Sequence, residues 1–90
     1  MEKWKVTLSA KAAKQIEEIF VKNPDLRPDI LARLKALENF PPEKWFFVYR
    51  FGGMDLFRTE TDQMIRLSGA AHYENKTVRI AHASLLRKPS

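Results

Sequence analysis

The chain has 90 residues, a net charge of +5 and no cysteine. A chain of this length is expected to form a single domain, spanning residues 1–90, around one core. The lack of cysteine excludes a disulfide framework and a thiolate metal site. No apolar run is long enough for a signal peptide or a transmembrane helix, so we expect a cytoplasmic protein with no membrane contact.

The first half of the chain is predicted to form one strand and two helices. Residues 4–8 alternate apolar and polar side chains, as a half-buried strand does. Ser9 is a favourable N-cap for a helix over residues 10–22, and a second helix is predicted over residues 28–38. Prolines follow both helical segments and end them. The short connection between the helices predicts an antiparallel helical hairpin.

The second half is predicted to form strands joined by tight turns. Its segments are rich in aromatic and β-branched residues, and paired glycines or Asp- and Asn-containing turns separate them. The predicted strands cover residues 45–51, 56–60, 64–70 and 77–83, and the tail at residues 85–90 is expected to fray. The fold class is therefore α+β: an N-terminal strand, a two-helix hairpin, and an antiparallel meander of three or four strands packed on the helices.

Side chains alternate between the two faces of each predicted strand. One face should pack on the helices, and the predicted core consists of Trp4, Val6, Leu8, Ile16, Phe20, Ile30, Leu34, Leu37, Phe57, Ile65, Leu67, Val78 and Ile80. The opposite face should carry charged side chains from three strands, namely Arg58, Glu60, Arg66 and Arg79. Because neighbouring strands lie about 5 Å apart, the three guanidinium groups can converge beside a carboxylate.

Two interpretations of these arginines compete. Arginines on an exposed sheet face can serve solubility and pair with Glu60 across the strands. Alternatively they bind phosphate, because a guanidinium presents a rigid fork that matches phosphate oxygens. We favour phosphate binding, because like charges on adjacent strands repel. A sheet face that serves solubility alone is expected to alternate acidic residues with the arginines. The positive net charge also favours a nucleic acid or an acidic protein as partner.

Two histidines are candidates for proton transfer, because imidazole groups titrate near neutral pH. Strict alternation places His82 on the helix side with Val78 and Ile80, where a hydrogen-bonded histidine at the rim of the core is the simpler interpretation. His72 and Tyr73 lie at a strand end or in the following turn, from which both could reach the open face. No histidine or acidic residue lies at the spacing of a metal site from another, and the sequence has no glycine-rich phosphate loop. We therefore expect no metal and no cofactor.

The order of the elements and four short segments resemble the RelE/ParE toxin superfamily of bacterial toxin–antitoxin systems. The similar segments are WKVTLSAKAAKQIEEI, ILARLKALE, DLFRTET with its pair Phe57-Arg58, and TVRIAH. The resemblance covers nearly the whole chain, and the order of elements is its stronger part. It implies a compact sheet with two N-terminal helices.

For activity, the resemblance implies first a ribosome-dependent mRNA endonuclease that inhibits translation. RelE-like members cut mRNA in the ribosome without a metal: basic residues hold the phosphate and promote attack by the 2′-hydroxyl, while a histidine, glutamate or tyrosine assists proton transfer. Arg58 fits the family's strand arginine best, and His82 lies where some members keep a histidine. The resemblance also implies a cognate antitoxin protein as partner. The expected catalytic residues are Arg58, Glu60, Arg66, Arg79 and His82.

The resemblance leaves a second activity open, since ParE-like members bind DNA gyrase and are not nucleases. A third possibility is a small basic domain that binds RNA or protein. Several RelE-like nucleases end in an aromatic or His-Tyr sequence, whereas no tyrosine follows Tyr73 in this chain, which ends LLRKPS. A non-catalytic function therefore stays open, and the general base stays undecided between Glu60 and His82.

Overall fold

The computed structural model describes residues 3–86 and has the predicted α+β architecture. Its elements are strand β1 (Lys5–Leu8), helix α1 (Ala10–Lys22), a 3-10 turn (Pro24–Leu26), helix α2 (Arg27–Ala36), a second 3-10 turn (Leu37–Asn39), and strands β2 (Trp45–Phe51), β3 (Met54–Glu60), β4 (Ile65–His72) and β5 (Thr77–Leu85). One sheet contains all five strands in the order β1-β5-β4-β3-β2. Strands β2 to β5 form the antiparallel meander, and β1 pairs with β5 in parallel. No helix within residues 3–86 is long and apolar enough to cross a membrane.

The ends of the elements follow local signals, with several departures from prediction: strands β3 and β4 cover residues 54–60 and 65–72 and are longer than predicted. Helix α1 has the predicted bounds, and the amide of Ala12 donates to the hydroxyl oxygen of Ser9 at 3.0 Å, which caps the helix. Helix α2 ends earlier than predicted and continues as the second 3-10 turn. The predicted fraying is wrong at Leu85, which belongs to β5, and at Leu86, whose amide donates to the Met64 carbonyl at 2.7 Å. The rest of the predicted tail, residues 87–90, lies outside the described residues.

The core lies between the helices and one face of the sheet. Most of the predicted core is confirmed, with Trp4, Val6, Phe20 and Leu34 packed at its edge. Its buried members are Ala12, Ile16, Ile19, Leu26, Ile30, Leu37, Phe40, Phe57, Ile65, Leu67, Ala71, Val78, Ile80 and Ala83. The prediction is wrong for Leu8, which is 37% exposed, because β1 is an edge strand that a single neighbouring strand shields.

A β-bulge in β5 changes which of its residues face the helices. Ser68 of β4 pairs with His82, whereas the next residue, Gly69, pairs with Ile80, so Ala81 is an extra residue in β5. Beyond the bulge Ala83 is the buried residue. The prediction that His82 faces the helices is therefore wrong: His82 lies on the opposite face, beside Ser68.

Helix α1 supplies the hydrogen bonds that fix this bulge. The amide of Ser9 donates to the Ile80 carbonyl at 2.8 Å, and its hydroxyl donates to the Ala81 carbonyl at 3.2 Å. The amide of Ala83 donates to Oε1 of Gln15 at 2.8 Å. Ser9, which caps α1, and Gln15 of α1 thus satisfy backbone groups that the irregular strand pairing leaves free.

An ion pair with a buried carboxylate joins β2 to β3 on the helix side of the sheet. Asp55 is 1% exposed, and its carboxylate accepts hydrogen bonds from Nε and Nη2 of Arg50 at 2.7 and 3.1 Å. These hydrogen bonds lower the pKa of Asp55, although burial acts in the opposite direction. The folded chain therefore binds a proton at Asp55 less readily than the unfolded chain does.

Acid should weaken the fold through this pair. Because the pKa of Asp55 is lower in the folded chain, the pair stabilises the fold above the ordinary carboxyl pKa of about 4, and this contribution is lost as the pH falls through the lowered value. We expect Asp55→Asn to lower the Tm at pH 7 and to flatten its decrease in acid, as measured by circular dichroism. Asp62→Asn is the matched control, because Asp62 also has a lowered pKa, through Lys44, but its side chain is 73% exposed. A Tm at pH 7 that Asp55→Asn changes no more than Asp62→Asn does would contradict this assignment.

Candidate nucleic-acid interface

The face of the sheet that turns away from the helices, which we call the open face, carries aligned rows of side chains. Paired residues on neighbouring antiparallel strands point to the same face. One row contains Leu56, Ala70 and Arg79, and the next contains Arg58, Ser68 and His82. Arg58 and Arg79 therefore lie on the same face, on either side of β4.

A trough of about 430 Å³ lies between these two arginines. The small residues Ser68, Gly69 and Ala70 of β4 form its floor, with Arg58 at one side and Arg79 at the other. Because the middle strand carries no large side chain at this place, the two guanidinium groups flank an open space. We call this space the trough.

The guanidinium groups of Arg58 and Arg79 are available to a ligand. Both residues are exposed, and no ion pair among residues 3–86 includes either of them. The guanidinium carbon of Arg58 lies 5.5 Å from the ring centroid of Phe46, in a cation–π contact that leaves its N–H donors free. Free guanidinium donors on a face of the sheet are suited to phosphate oxygens.

The third predicted arginine has a different environment. Arg66 lies on the open face as predicted, directly opposite Glu60. Its Nε and Nη2 donate to Oε1 of Glu60 at 3.1 and 2.8 Å, and the two side chains are 33% and 28% exposed. This is the cross-strand ion pair that the solubility interpretation expects. Two guanidinium groups, rather than three, therefore line the trough.

His82 joins the site through the bulge. It is partly buried and lies beside Ser68 in the row that contains Arg58, one strand away from that arginine. It does not line the trough itself. The register nevertheless places an imidazole on the same face as both free guanidinium groups.

The other predicted proton-transfer candidates lie elsewhere. His72 is on the open face, but in the row at the far end of the sheet with Met54 and Thr77. Tyr73 packs on the helix side, with its ring centroid 5.2 Å from that of Trp4, and so does not join the open face. Burial raises the pKa of Tyr73, and the neighbouring Asp55 raises it further, so the phenol stays protonated at neutral pH.

Two features of this interface are not predicted by the sequence pattern. The bulge at Ala81 turns His82 to the open face, and Phe46 supports Arg58. Gly69 carries the one sequence signal for the bulge, because a glycine inside a strand often marks a bulge or a close approach of two backbones. No pattern in the sequence indicates which β2 residue pairs with Arg58.

The arrangement can bind a phosphodiester and move a proton. Two guanidinium groups can each donate hydrogen bonds to phosphate oxygens in the trough. An imidazole in the adjoining position of the sheet can accept a proton. Within residues 3–86, no three His, Cys, Asp or Glu side chains are arranged to hold a metal ion.

A comparison with solved structures confirms the predicted RelE-like fold. The chain superposes on a chain in the crystal structure of the archaeal RelE–RelB complex from Pyrococcus horikoshii OT3, with a TM-score of 0.76. The similarity covers 97% of this chain and 99% of that chain, at 16% sequence identity, and therefore concerns the fold. No protein-family model and no curated protein sequence matches this chain.

Proposed function

We propose that this chain is the toxin of a toxin–antitoxin system and that it cuts mRNA on the ribosome, with the trough as its active site. The observation that carries the proposal is the pair of guanidinium groups at the trough, Arg58 and Arg79, which are exposed and have no acidic partner among residues 3–86. The RelE-like fold supports the same function.

In the proposed reaction, the phosphodiester to be cut lies in the trough between Arg58 and Arg79. The neighbouring ribose 2′-oxygen forms a bond to phosphorus, and the bond from phosphorus to the 5′-oxygen of the next nucleotide breaks. The products are a 2′,3′-cyclic phosphate and a 5′-hydroxyl end. Negative charge on the phosphoryl oxygens increases in the transition state, and guanidinium groups held in place stabilise it.

His82 is the proposed proton acceptor. It takes the proton of the 2′-hydroxyl and returns a proton to the leaving 5′-oxygen. Its place in the row of Arg58, with Ser68 between them, supports this role. Glu60, the other candidate base, has one carboxylate oxygen engaged by two hydrogen bonds from Arg66. We therefore assign the Arg66–Glu60 pair to holding β3 against β4 beside the trough.

The proposed function defines the partners and the compartment. The substrate is mRNA in the ribosome, so the activity belongs in the cytoplasm. The chain with the same fold comes from a RelE–RelB complex, and we propose that an antitoxin protein likewise binds and silences this chain. A small acidic protein encoded next to this chain is the first partner to test.

Expression of the chain without a partner protein separates this function from the alternatives. We expect growth to stop, incorporation of labelled methionine to fall, and plasmid supercoiling to stay unchanged. A loss of supercoiling while mRNA stays intact would identify a gyrase poison instead. Unimpaired growth would contradict both toxin functions and favour a small RNA- or protein-binding domain.

A further inference from the structure

Strand β2 is an edge strand that exposes large aromatic side chains. It has β3 as its one neighbour in the sheet. Phe46, Tyr49 and Phe51 are 46%, 58% and 65% exposed. Exposed apolar side chains that lie together mark a binding surface more often than isolated ones do.

A second β-bulge decides which face these rings occupy. Phe46 pairs with Arg58 and Tyr49 pairs with Leu56, although the two β2 residues are three positions apart, because Val48 is an extra residue. Strict alternation would instead place Phe46 and Tyr49 on opposite faces. The bulge therefore brings both rings to the open face.

The same shift removes a charge from the open face of β2. Arg50 pairs with Asp55 and turns to the helix side, whereas Phe51 pairs with Met54 on the open face. The ring centroids of Tyr49 and Phe51 lie 6.5 Å apart. Phe46, Tyr49 and Phe51 thus form a set of rings along one side of the sheet, which we call the aromatic column.

The aromatic column and the trough form one continuous surface. Val48 and Leu56 line the trough on the side of β2, and Arg58 lies over the ring of Phe46. Aromatic rings therefore stand directly beside the two free guanidinium groups. Binding sites for single-stranded nucleic acids combine aromatic rings, on which the bases stack, with positive charges, which pair with the phosphates.

The charge of this surface also favours a polyanion. Strands β2 to β5 contain two acidic residues, Asp55 and Glu60. Asp55 faces the helices, and Glu60 is paired with Arg66. Arg58 and Arg79 therefore determine the charge next to the aromatic column, and that charge is positive.

We propose that the aromatic column and the trough together bind a single-stranded RNA segment, with bases stacked on the column and backbone phosphates at Arg58 and Arg79. The proposal rests on the proposed function and adds the residues that hold the nucleotides next to the scissile phosphate. Unpaired bases are required, because bases in a duplex do not offer their ring faces to side chains. A protein strand added to the edge of β2 is the competing occupant.

Binding of a fluorescein-labelled oligouridine of about 12 nucleotides to the full chain, followed by fluorescence anisotropy, tests this proposal. We expect Phe46→Leu and Tyr49→Leu each to weaken binding by about 5- to 150-fold, because each removes one stacking ring. Phe47→Leu is the matched control: Phe47 is 53% exposed on the same strand but pairs with Phe57 and so lies on the helix side. The affinity of Phe47→Leu for the oligouridine should equal that of the unchanged chain.

Two further measurements keep the result interpretable. Tyr49→Phe keeps the ring and should keep the affinity, and thermal unfolding shows whether each variant is folded. Affinity that is the same in all variants would overturn the proposal and leave the aromatic column to a protein partner. Equal weakening by Phe46→Leu and Phe47→Leu would overturn it as well, since the two faces of β2 would then not differ.

This assay measures binding and is independent of cleavage. If the Phe46→Leu and Tyr49→Leu substitutions weaken oligouridine binding but the unchanged chain leaves ribosomal mRNA intact, the proposed RNA-binding surface is supported and the proposed nuclease function is contradicted. Cleavage of mRNA at an unchanged rate by Phe46→Leu and Tyr49→Leu, with unchanged oligouridine affinity, would contradict the RNA surface alone.

Discussion

Arg58→Gln should lower the rate of mRNA cleavage by about 100- to 1000-fold, which is the usual loss when one preorganised donor to a developing negative charge is removed. Arg58 stands at the side of the trough and has no acidic partner among residues 3–86, so its charge is available to the scissile phosphate. Glutamine keeps much of the length and polarity of the side chain but removes the charge and the fork of donors. The free energy of unfolding should change by less than about 0.5 kcal/mol, because the side chain is exposed.

Arg27→Gln provides a matched control for this result. Arg27 is also exposed and lies over an aromatic ring, with its guanidinium carbon 5.6 Å from the centroid of Phe20, but it belongs to helix α2. The substitution removes the same charge and the same kind of cation–π contact at a distance from the open face. Equal loss of cleavage in the two variants would indicate a general effect of net charge. Loss of folding in Arg58→Gln would contradict the exposure of this side chain.

Gly69→Ala should be the most destabilising small substitution in the sheet. A Cβ atom at Gly69 would overlap the carbonyl oxygen of Arg79 and would lie 3.0 Å from the Cα of Ile80. Both contacts are with backbone atoms of β5 next to the bulge, so neither can be relieved by rotating a side chain. Overpacking of this kind typically costs about 1–3 kcal/mol and more where the backbone must move. We expect a loss of about 3 kcal/mol, which lowers the Tm by roughly 12–24 °C in a domain of this size.

Gly53→Ala is the corresponding control, because a Cβ atom at Gly53 meets nothing within 4 Å. Its Tm should stay close to that of the unchanged chain. Thermal unfolding followed by circular dichroism measures both variants. A Tm of Gly69→Ala within a few degrees of the Gly53→Ala value would show that β4 and β5 are not in close contact at the bulge.

The sequence was sufficient to predict the fold class and the faces of the regular strands. In β3 and β4 the side chains alternate without interruption, so Phe57 and Leu67 were correctly assigned to the core and Arg58 and Arg66 to the open face. Helix α1 was also predicted to the residue, because Ser9 and the following proline give clear start and stop signals. Local patterns succeed where the local geometry is regular.

The two bulges explain what alternation could not predict. One extra residue in a strand reverses the face of every residue after it, and the extra residues here, Ala81 and Val48, have no distinctive side chains. The reversal moved His82 to the open face and brought Tyr49 beside Phe46. Hydrogen bonds from Ser9, which is distant in sequence, hold the bulge at Ala81. A local sequence pattern carries no information about such a contact.

The division of roles among the arginines also depended on strand register. Alternation placed three arginines on one face but did not indicate which of them has an acidic neighbour. The register sets Arg66 opposite Glu60, while Arg58 stands opposite Ser68. A shift of two residues in the pairing would keep every face but would separate Arg66 from Glu60. Register therefore distinguishes the paired arginine from the free one.

The most direct test of the central claim is primer extension on mRNA in ribosome complexes, with purified protein added. We expect the chain to cleave mRNA through residues of the open face. The unchanged chain and Arg27→Gln should produce new 5′ ends at the ribosome-bound codon. Arg58→Gln and Arg79→Gln should leave the mRNA largely intact. Full-length mRNA with the unchanged chain would contradict the nuclease function. Cleavage by Arg58→Gln and Arg79→Gln at the rate of the unchanged chain would contradict the assignment of the trough as its active site.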